Sequence, residues 1–217
     1  TPKPLIKIND KPIIFYILEE LRKNNIKHCF INTHYLSEKI EQYIHTYKKK
    51  NSSMNIKIIK ETEILETGGA IKNIKDKDST KPIIVINGDS IIIPNNSKNF
   101  LADLIKNFDP NKMNFLLLLD NIKNSIGYSG KGDFISNSKI FPAKIFRKQA
   151  NGLAYTGWQV LNPKIIDEVN VNKFSLNICY DKAIENNLLW GINNSGKWLH
   201  IGTKKALSEA IEWFKIN

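Results

Sequence analysis

Residues 83–89 read Ile83-Ile84-Val85-Ile86-Asn87-Gly88-Asp89. Four consecutive apolar β-formers that stop at a polar, Gly-containing turn predict a short strand covered on both faces. An acid placed directly after such a strand lies at the carboxyl edge of the sheet, where open α/β folds bind ligands. A carboxylate there is a hard oxygen donor suited to Mg²⁺, and Gly88 lets a ligand approach the backbone closely. Asn-Gly-Asp is also turn-prone in its own right, so on this stretch alone a ligand site and a plain strand-ending turn both stay open.

Outward from that strand, helical and strand-like patterns alternate. Ile13, Ile14, Ile17, Leu18 and Leu21 follow Pro12 at helical spacing, with Pro12 as a first helical residue and Asn9-Asp10 as caps. A buried strand is predicted over 28–32, a helix over 37–48, a strand over 56–60, and a short helix opened by Gly68-Gly69. A helix over 98–108 leads to the apolar strand 115–119. Further on come a strand over 158–161, a helix over 176–186, a strand over 189–192 and a last helix over 204–214. Strands alternating with helices imply crossover units and a Rossmann-like α/β fold with a mixed, mostly parallel sheet flanked by helices. The 217 residues suit one domain over 1–217, with the Gly-, Ser- and Asn-rich stretch 120–157 as a less regular lobe over one end of the sheet.

The formal net charge is +11, but the basic residues are nearly all Lys and are spread along the chain. The one dense run, Lys48-Lys49-Lys50, falls at a helix end, where it complements the dipole. No nucleic-acid motif accompanies the charge, so no nucleic-acid partner is expected. A basic surface would attract phosphorylated small molecules. Cys29 and Cys179 are the only cysteines and read as buried free thiols, which favours a reducing compartment. No apolar run approaches the ~20 residues of a membrane span. A cytoplasmic protein without a membrane partner, monomeric or homodimeric, is expected.

Three more segments carry candidate chemistry, each with an ordinary structural alternative. Glu66-Thr67-Gly68-Gly69 sits between strand and helix, where paired glycines can expose N–H groups to a flat or anionic ligand, or simply form a loop. Trp198-Leu199-His200-Ile201-Gly202-Thr203 precedes the last helix, where Thr203 makes a good N-cap. Lys3 stands between two prolines that restrict its backbone, and a fixed ammonium near a phosphate would balance charge during transfer.

Together and in this order, these segments resemble the sugar-1-phosphate nucleotidyltransferase family, the nucleotide-diphospho-sugar transferase fold. The resemblance is nearest to the branch of N-acetylmuramate-1-phosphate uridylyltransferases and mannose-1-phosphate guanylyltransferases. Thr1-Pro2-Lys3-Pro4-Leu5 with Asp10-Lys11-Pro12-Ile13-Ile14 resembles its T-P-K-P-L and G-x-P-L/I segments. Glu66-Thr67-Gly68-Gly69 is similar to E-T-G-G, and Asn87-Gly88-Asp89 to N-G-D. Gly132-Asp133-Phe134 matches the uridylyltransferase G-D-F, and Tyr155-Thr156-Gly157 with Leu161-Asn162-Pro163 an F-S/T-G…L-x-P stretch.

The resemblance implies transfer of a nucleotidyl group from an NTP, UTP favoured, to a sugar 1-phosphate. Lys3 would contact phosphates. Glu66, Thr67, Gly68, Gly69, Asn87 and Gly88 would hold the nucleotide, and Asp133, Tyr155 and Gly157 the sugar phosphate. Asp89 would hold Mg²⁺, with His200 at the second metal position. Two departures accompany it. The family's first strand and Gly-rich loop, upstream of T-P-K-P, are not in this sequence, which begins at Thr1. His200 stands where the family has Asp, and imidazole suits Mg²⁺ less well. The alternative expectation is therefore a truncated remnant that binds nucleotide and sugar phosphate without turnover.

Overall fold

The computed structural model describes residues 1–74, 81–95, 98–147 and 151–217. A turn at Lys3–Leu5 leads into a hairpin of β1 (Lys7–Ile8) and β2 (Lys11–Pro12). Asn9 and Asp10 turn that hairpin at positive φ, 48° and 60°, rather than capping a helix. Helix α1 (Ile13–Lys23) starts one residue later than expected, with Pro12 as its extended N-cap. β3 (His28–Thr33), α2 (Ser37–Lys50) and β4 (Asn55–Lys60) form a crossover unit whose two strands pair in parallel. β3 is not the buried strand expected over 28–32: burial alternates along it and Phe30 is 46% exposed.

α3 (Glu66–Ile74) precedes β5 (Ile83–Ile86) and β6 (Ser90–Ile93). α4 (Phe100–Asn107) and β7 (Phe115–Asn121) follow. Within the lobe expected over 120–157 lie three short strands, β8 (Phe134–Ile135), β9 (Ala143–Lys144) and β10 (Phe146–Arg147). β11 (Leu153–Leu161), α5 (Lys164–Asp167), α6 (Asn177–Glu185), β12 (Leu189–Asn193), β13 (Lys197–His200) and α7 (Lys204–Ile216) complete the order.

The largest sheet runs β10-β8-β11-β7-β12-β9, with β5 also on β11. It is mixed and flanked by helices, as the sequence predicts, although among the described pairings only β3–β4 and β7–β12 are parallel. β7 is the central strand. Its successive side chains alternate between two apolar layers. Leu116 and Leu118 join Trp158, Trp198 and residues of α1 and α4. Phe115, Leu117 and Leu119 join Phe174, Tyr180 and residues of α5 and α6. Full burial of each of these side chains contributes about 1.5–3 kcal/mol. β5, by contrast, is half-buried along its whole length and runs antiparallel to β11, so its apolar run does not mark a strand covered on both sides.

One buried node ties the strands together. Ser90 begins β6, and its hydroxyl donates to the Thr156 carbonyl while accepting from Trp198 Nε1 at 3.0 Å. The Ser90 carbonyl accepts from Trp158 Nε1 at 3.4 Å, and Thr156 Oγ1 donates to the Leu118 carbonyl at 2.8 Å. β6, β7, β11 and β13 are therefore locked at one point, directly beside Asp89. Deleting the hydroxyl leaves a buried indole N–H and a carbonyl unpaired, a penalty of about 1–3 kcal/mol. Ser90→Ala is expected to lower Tm by several degrees in thermal denaturation, at about 2–4 °C per kcal/mol for a chain this size.

Candidate functional site

At the rim formed by the turn after β5, Lys3 Nζ lies 2.7 Å from Asp89 Oδ2. The two side chains are 42% and 25% exposed, so the pair contributes little stability. Its effect is positional: the Lys3–Leu5 turn holds an ammonium against a carboxylate at the strand end. On the other side of Asp89, its carbonyl accepts from Ile201 N at 2.8 Å, and His200 pairs with Ser90 in the β6–β13 ladder. The structure thus joins the side chains of Lys3 and Asp89 and sets the backbone of His200 next to them, from three distant parts of the chain. The His200 ring packs beside Trp198 and Tyr128, with centroids 5.7 and 6.0 Å away.

Asp89 fits a hard cation: it is an exposed-edge carboxylate with one oxygen held by Lys3. Among the described residues no group of three or more His, Cys, Asp or Glu side chains is placed to hold a metal ion. A bound Mg²⁺ would accordingly take most of its oxygen ligands from phosphate and water, a common arrangement for this ion.

Beside this rim is a cleft of about 320 Å³, whose walls include Thr67, Asn87, Tyr128, Asp133, Arg147 and Tyr155. Asn87 is fixed there because its N–H donates to the Gly157 carbonyl at 2.8 Å. Gly157 has φ of +86° at the register shift of β11, and a Cβ on it would stand 2.9 Å from Asn87 Cβ. Only glycine therefore permits both the turn and the contact. Asp133 Oδ2 accepts from Tyr155 N at 2.8 Å and from the Tyr128 hydroxyl at 3.4 Å. Burial, with the Asp133 charge second, pushes the Tyr128 phenol up, so it remains a donor at neutral pH. Burial pushes the Tyr155 phenol far above its ordinary value as well.

The glycine pair differs from expectation. Gly68 and Gly69 N–H groups are not open to a ligand; they donate to the Phe174 carbonyl at 3.0 and 3.2 Å. The flat group against the chain is the Phe174 ring, which a Cβ on Gly68 would meet at 2.3 Å. Of this segment, Thr67 reaches the cleft and Glu66 is exposed at positive φ, 61°. Gly88 is the opposite case. Among the described residues a Cβ there would meet only Pro4 Cγ at 3.6 Å, ordinary contact, so packing does not demand glycine.

A sequence profile for nucleotidyl transferases matches residues 1–215. The chain belongs to the nucleotidyl transferase family. It is 28% identical over 207 residues to an N-acetylmuramate alpha-1-phosphate uridylyltransferase of Caulobacter vibrioides, covering 94% of this chain and 85% of that one. It is 32% identical over 179 residues to a D-glycero-alpha-D-manno-heptose 1-phosphate guanylyltransferase of Campylobacter jejuni, covering 80% and 73%. A solved structure of UDP-glucose pyrophosphorylase from Acinetobacter baumannii superposes with a TM-score of 0.79 at 16% identity, over 98% of this chain and 85% of that one, a likeness of fold. The family and the fold expected from the motifs are thereby met.

For this nucleotidyl transferase chain, sequence reasoning missed Tyr128, Arg147, Gln159 and Tyr180, all of which line the cleft. Tyr180 and Gln159 lie in apolar helical and strand patterns that read as core. Arg147 had one signal: it is one of only two arginines in a Lys-rich sequence. Both cysteines are free thiols as expected, Cys179 buried and Cys29 half-buried, and burial pushes each up to about 11. Among the described residues no helix is long and apolar enough to cross a membrane.

The two glycine cases separate packing from ligand approach. Gly69→Ala puts a Cβ 2.1 Å from the Asn172 carbonyl oxygen and should cost about 1–3 kcal/mol, seen as a lowered denaturation midpoint. Gly88→Ala should leave that midpoint within about 0.5 kcal/mol of the unaltered chain.

Proposed function

We propose that the cleft and its rim carry out transfer of a nucleotidyl group from an NTP, with UTP favoured, to a sugar 1-phosphate, giving an NDP-sugar and pyrophosphate. The observation that carries this is the convergence of Thr67 and Asn87 on one cleft, with the Lys3–Asp89 pair on the adjoining rim. Such a site offers a basic group and a metal-binding carboxylate beside a polar, hydrogen-bonding pocket, which is what a nucleoside polyphosphate requires.

In this scheme Glu66, Thr67 and Asn87 border the base and ribose, and Gly68 and Gly69 act through the fold by seating α3 against Phe174. Gly88, which nothing in the packing requires, leaves room for the nucleotide to lie against the backbone. Asp133 holds Tyr155 and Tyr128 at the sugar-phosphate side, next to Gly157. Lys3 orients the phosphates and offsets charge as the sugar phosphate's oxygen attacks the α-phosphorus in line and pyrophosphate departs. Asp89 would hold Mg²⁺, with His200 beside it. When bound, that ion neutralises triphosphate charge and polarises the phosphoryl group. Two free thiols in the described residues support a reducing, cytoplasmic setting.

Thermal-shift titration tests the nucleotide half directly, because a ligand that binds only the folded state stabilises it by mass action. UTP with Mg²⁺ should raise Tm more than GTP does. Gly88→Ala and Asp89→Asn should each cut that shift substantially while leaving the ligand-free Tm unchanged. No shift with either nucleotide would refute the proposal. A shift without pyrophosphate release in a coupled assay would instead favour a chain that binds and does not turn over. His200→Asp supplies a second carboxylate and should increase the Mg²⁺-dependent part of the shift; an unchanged metal dependence would remove His200 from the metal position.

A further inference from the structure

Among the described residues β4 pairs only with β3, so its other side is a sheet edge. The N–H of Asn55 donates to the Lys27 carbonyl at 2.8 Å, and that of Glu61 to the Thr33 carbonyl at 2.7 Å. Odd-numbered residues of β4 therefore turn their backbone groups toward β3, and Ile56, Ile58 and Lys60 turn theirs outward. Among the described residues those outward N–H groups have no hydrogen-bond partner. Edges of this kind are usually guarded by lysines that project across them. Here both lysines of the strand are drawn back onto their own layer. Lys60 Nζ donates to Glu38 Oε1 at 3.2 Å, and Lys57 Nζ lies 6.0 Å from the centre of the Phe30 ring.

Beside this edge, between α2 and β4, lies a groove of about 430 Å³ that shares no lining residue with the cleft. Ile44 and Ile56, both buried, and the half-buried Ile58 form its apolar lining. Its charged groups are unequally satisfied. Glu41 accepts from Ser37 Oγ at 2.8 Å, and nearby Glu38 is held by Lys60. Lys48 and Lys49 also line the groove, are exposed, and make no ion pair among the described residues. A crossover helix returns antiparallel to the strands it joins, so these two lysines stand at the Ile56 end, opposite the Lys60–Glu38 pair.

The chemistry of the groove selects its occupant. A strand laid along the edge would give the outward backbone groups their missing partners, and a polypeptide repeats donors and acceptors at the required spacing. Its alternate side chains, about 7 Å apart, would fall on the apolar lining. Carboxylates at one end would meet Lys48 and Lys49. Nucleic acid or an anionic membrane would use the lysines but leave the edge and the isoleucines unmatched. A second copy of this chain is disfavoured by charge, since each carries a formal net charge of +11.

We infer that the β4 edge is a docking site for an acidic, extended segment of another protein, bound by strand addition. The inference is independent of the proposed function, because groove and cleft are lined by different residues.

The probe is a short synthetic peptide of alternating valine and threonine that ends in glutamates, titrated into the full chain by fluorescence anisotropy. It should bind saturably and slow hydrogen exchange at the amides of Ile56, Ile58 and Lys60. Lys48→Glu combined with Lys49→Glu should weaken it about tenfold, and should bind the same peptide ending in lysines more tightly than the unaltered chain does. A peptide N-methylated at the valines keeps its charge and side chains but loses ladder donors, and should not bind. That peptide decides the matter on the unaltered chain if the doubly substituted variant fails to fold. Equal affinity for the N-methylated peptide would reduce the groove to a charged surface and overturn strand addition. Displacement of the acidic peptide by duplex DNA or by phosphatidylserine vesicles at physiological salt would overturn the choice of partner. Absence of binding by the acidic peptide would overturn the inference outright.

Discussion

The hydroxyl of Ser90 is the contact on which the site's geometry depends. It links Thr156 and Trp198, while the same residue's carbonyl receives the Trp158 indole. In a dry interior each of these groups would be costly if unpaired, so the node admits one arrangement of β6, β11 and β13 and no close alternative. Asp89 immediately precedes it, Gly157 immediately follows Thr156, and His200 stands opposite Ser90 in the ladder. Three segments distant in sequence are held to one rim by a residue that takes no part in binding. Lys3 completes the rim from outside the sheet, anchored by the short turn at the chain's start.

The cleft beside that rim has two ends of different character. Near Asn87 a carboxylate and an ammonium face solvent, suited to phosphate and a divalent cation. At the far end aromatic rings and an oriented guanidinium surround the space. Between them Asp133 is spent on local structure, accepting from the Tyr155 backbone and the Tyr128 hydroxyl. The bulge at Gly157 makes the middle of the cleft possible, since a side chain there would push Asn87 out of place.

The glycines illustrate how similar sequence features serve different ends. Gly68 and Gly69 look like a ligand loop, yet Phe174 fills the space and takes both N–H groups. The glycine pair thus lets two protein segments pack together, and it shapes the cleft only by holding Thr67 at its wall. Gly88 looks like an ordinary turn residue, yet neither its backbone conformation nor its neighbours call for glycine. Local sequence cannot distinguish these cases, because the group that approaches a glycine comes from elsewhere in the chain.

The sequence by itself determined the alternation of helices and strands, the central apolar strand β7, the N-cap at Thr203 and, through short motifs in a fixed order, the family. Those are local or pattern properties: side-chain periodicity, capping chemistry and spacing along one chain. It also marked Lys3, Asp89 and His200 as candidates; that Lys3 reaches Asp89 and that His200 stands across the ladder from Ser90 is a matter of the fold. Only the tertiary structure decided that β5 is a half-exposed strand running antiparallel to β11, because apolar content says what a strand can bury and not which neighbours cover it. The same holds for Arg147. Its type hints at a fork for an oxyanion, but its orientation comes from Asp181 and Asn177, some thirty residues away, brought beside it when α6 packs on the sheet.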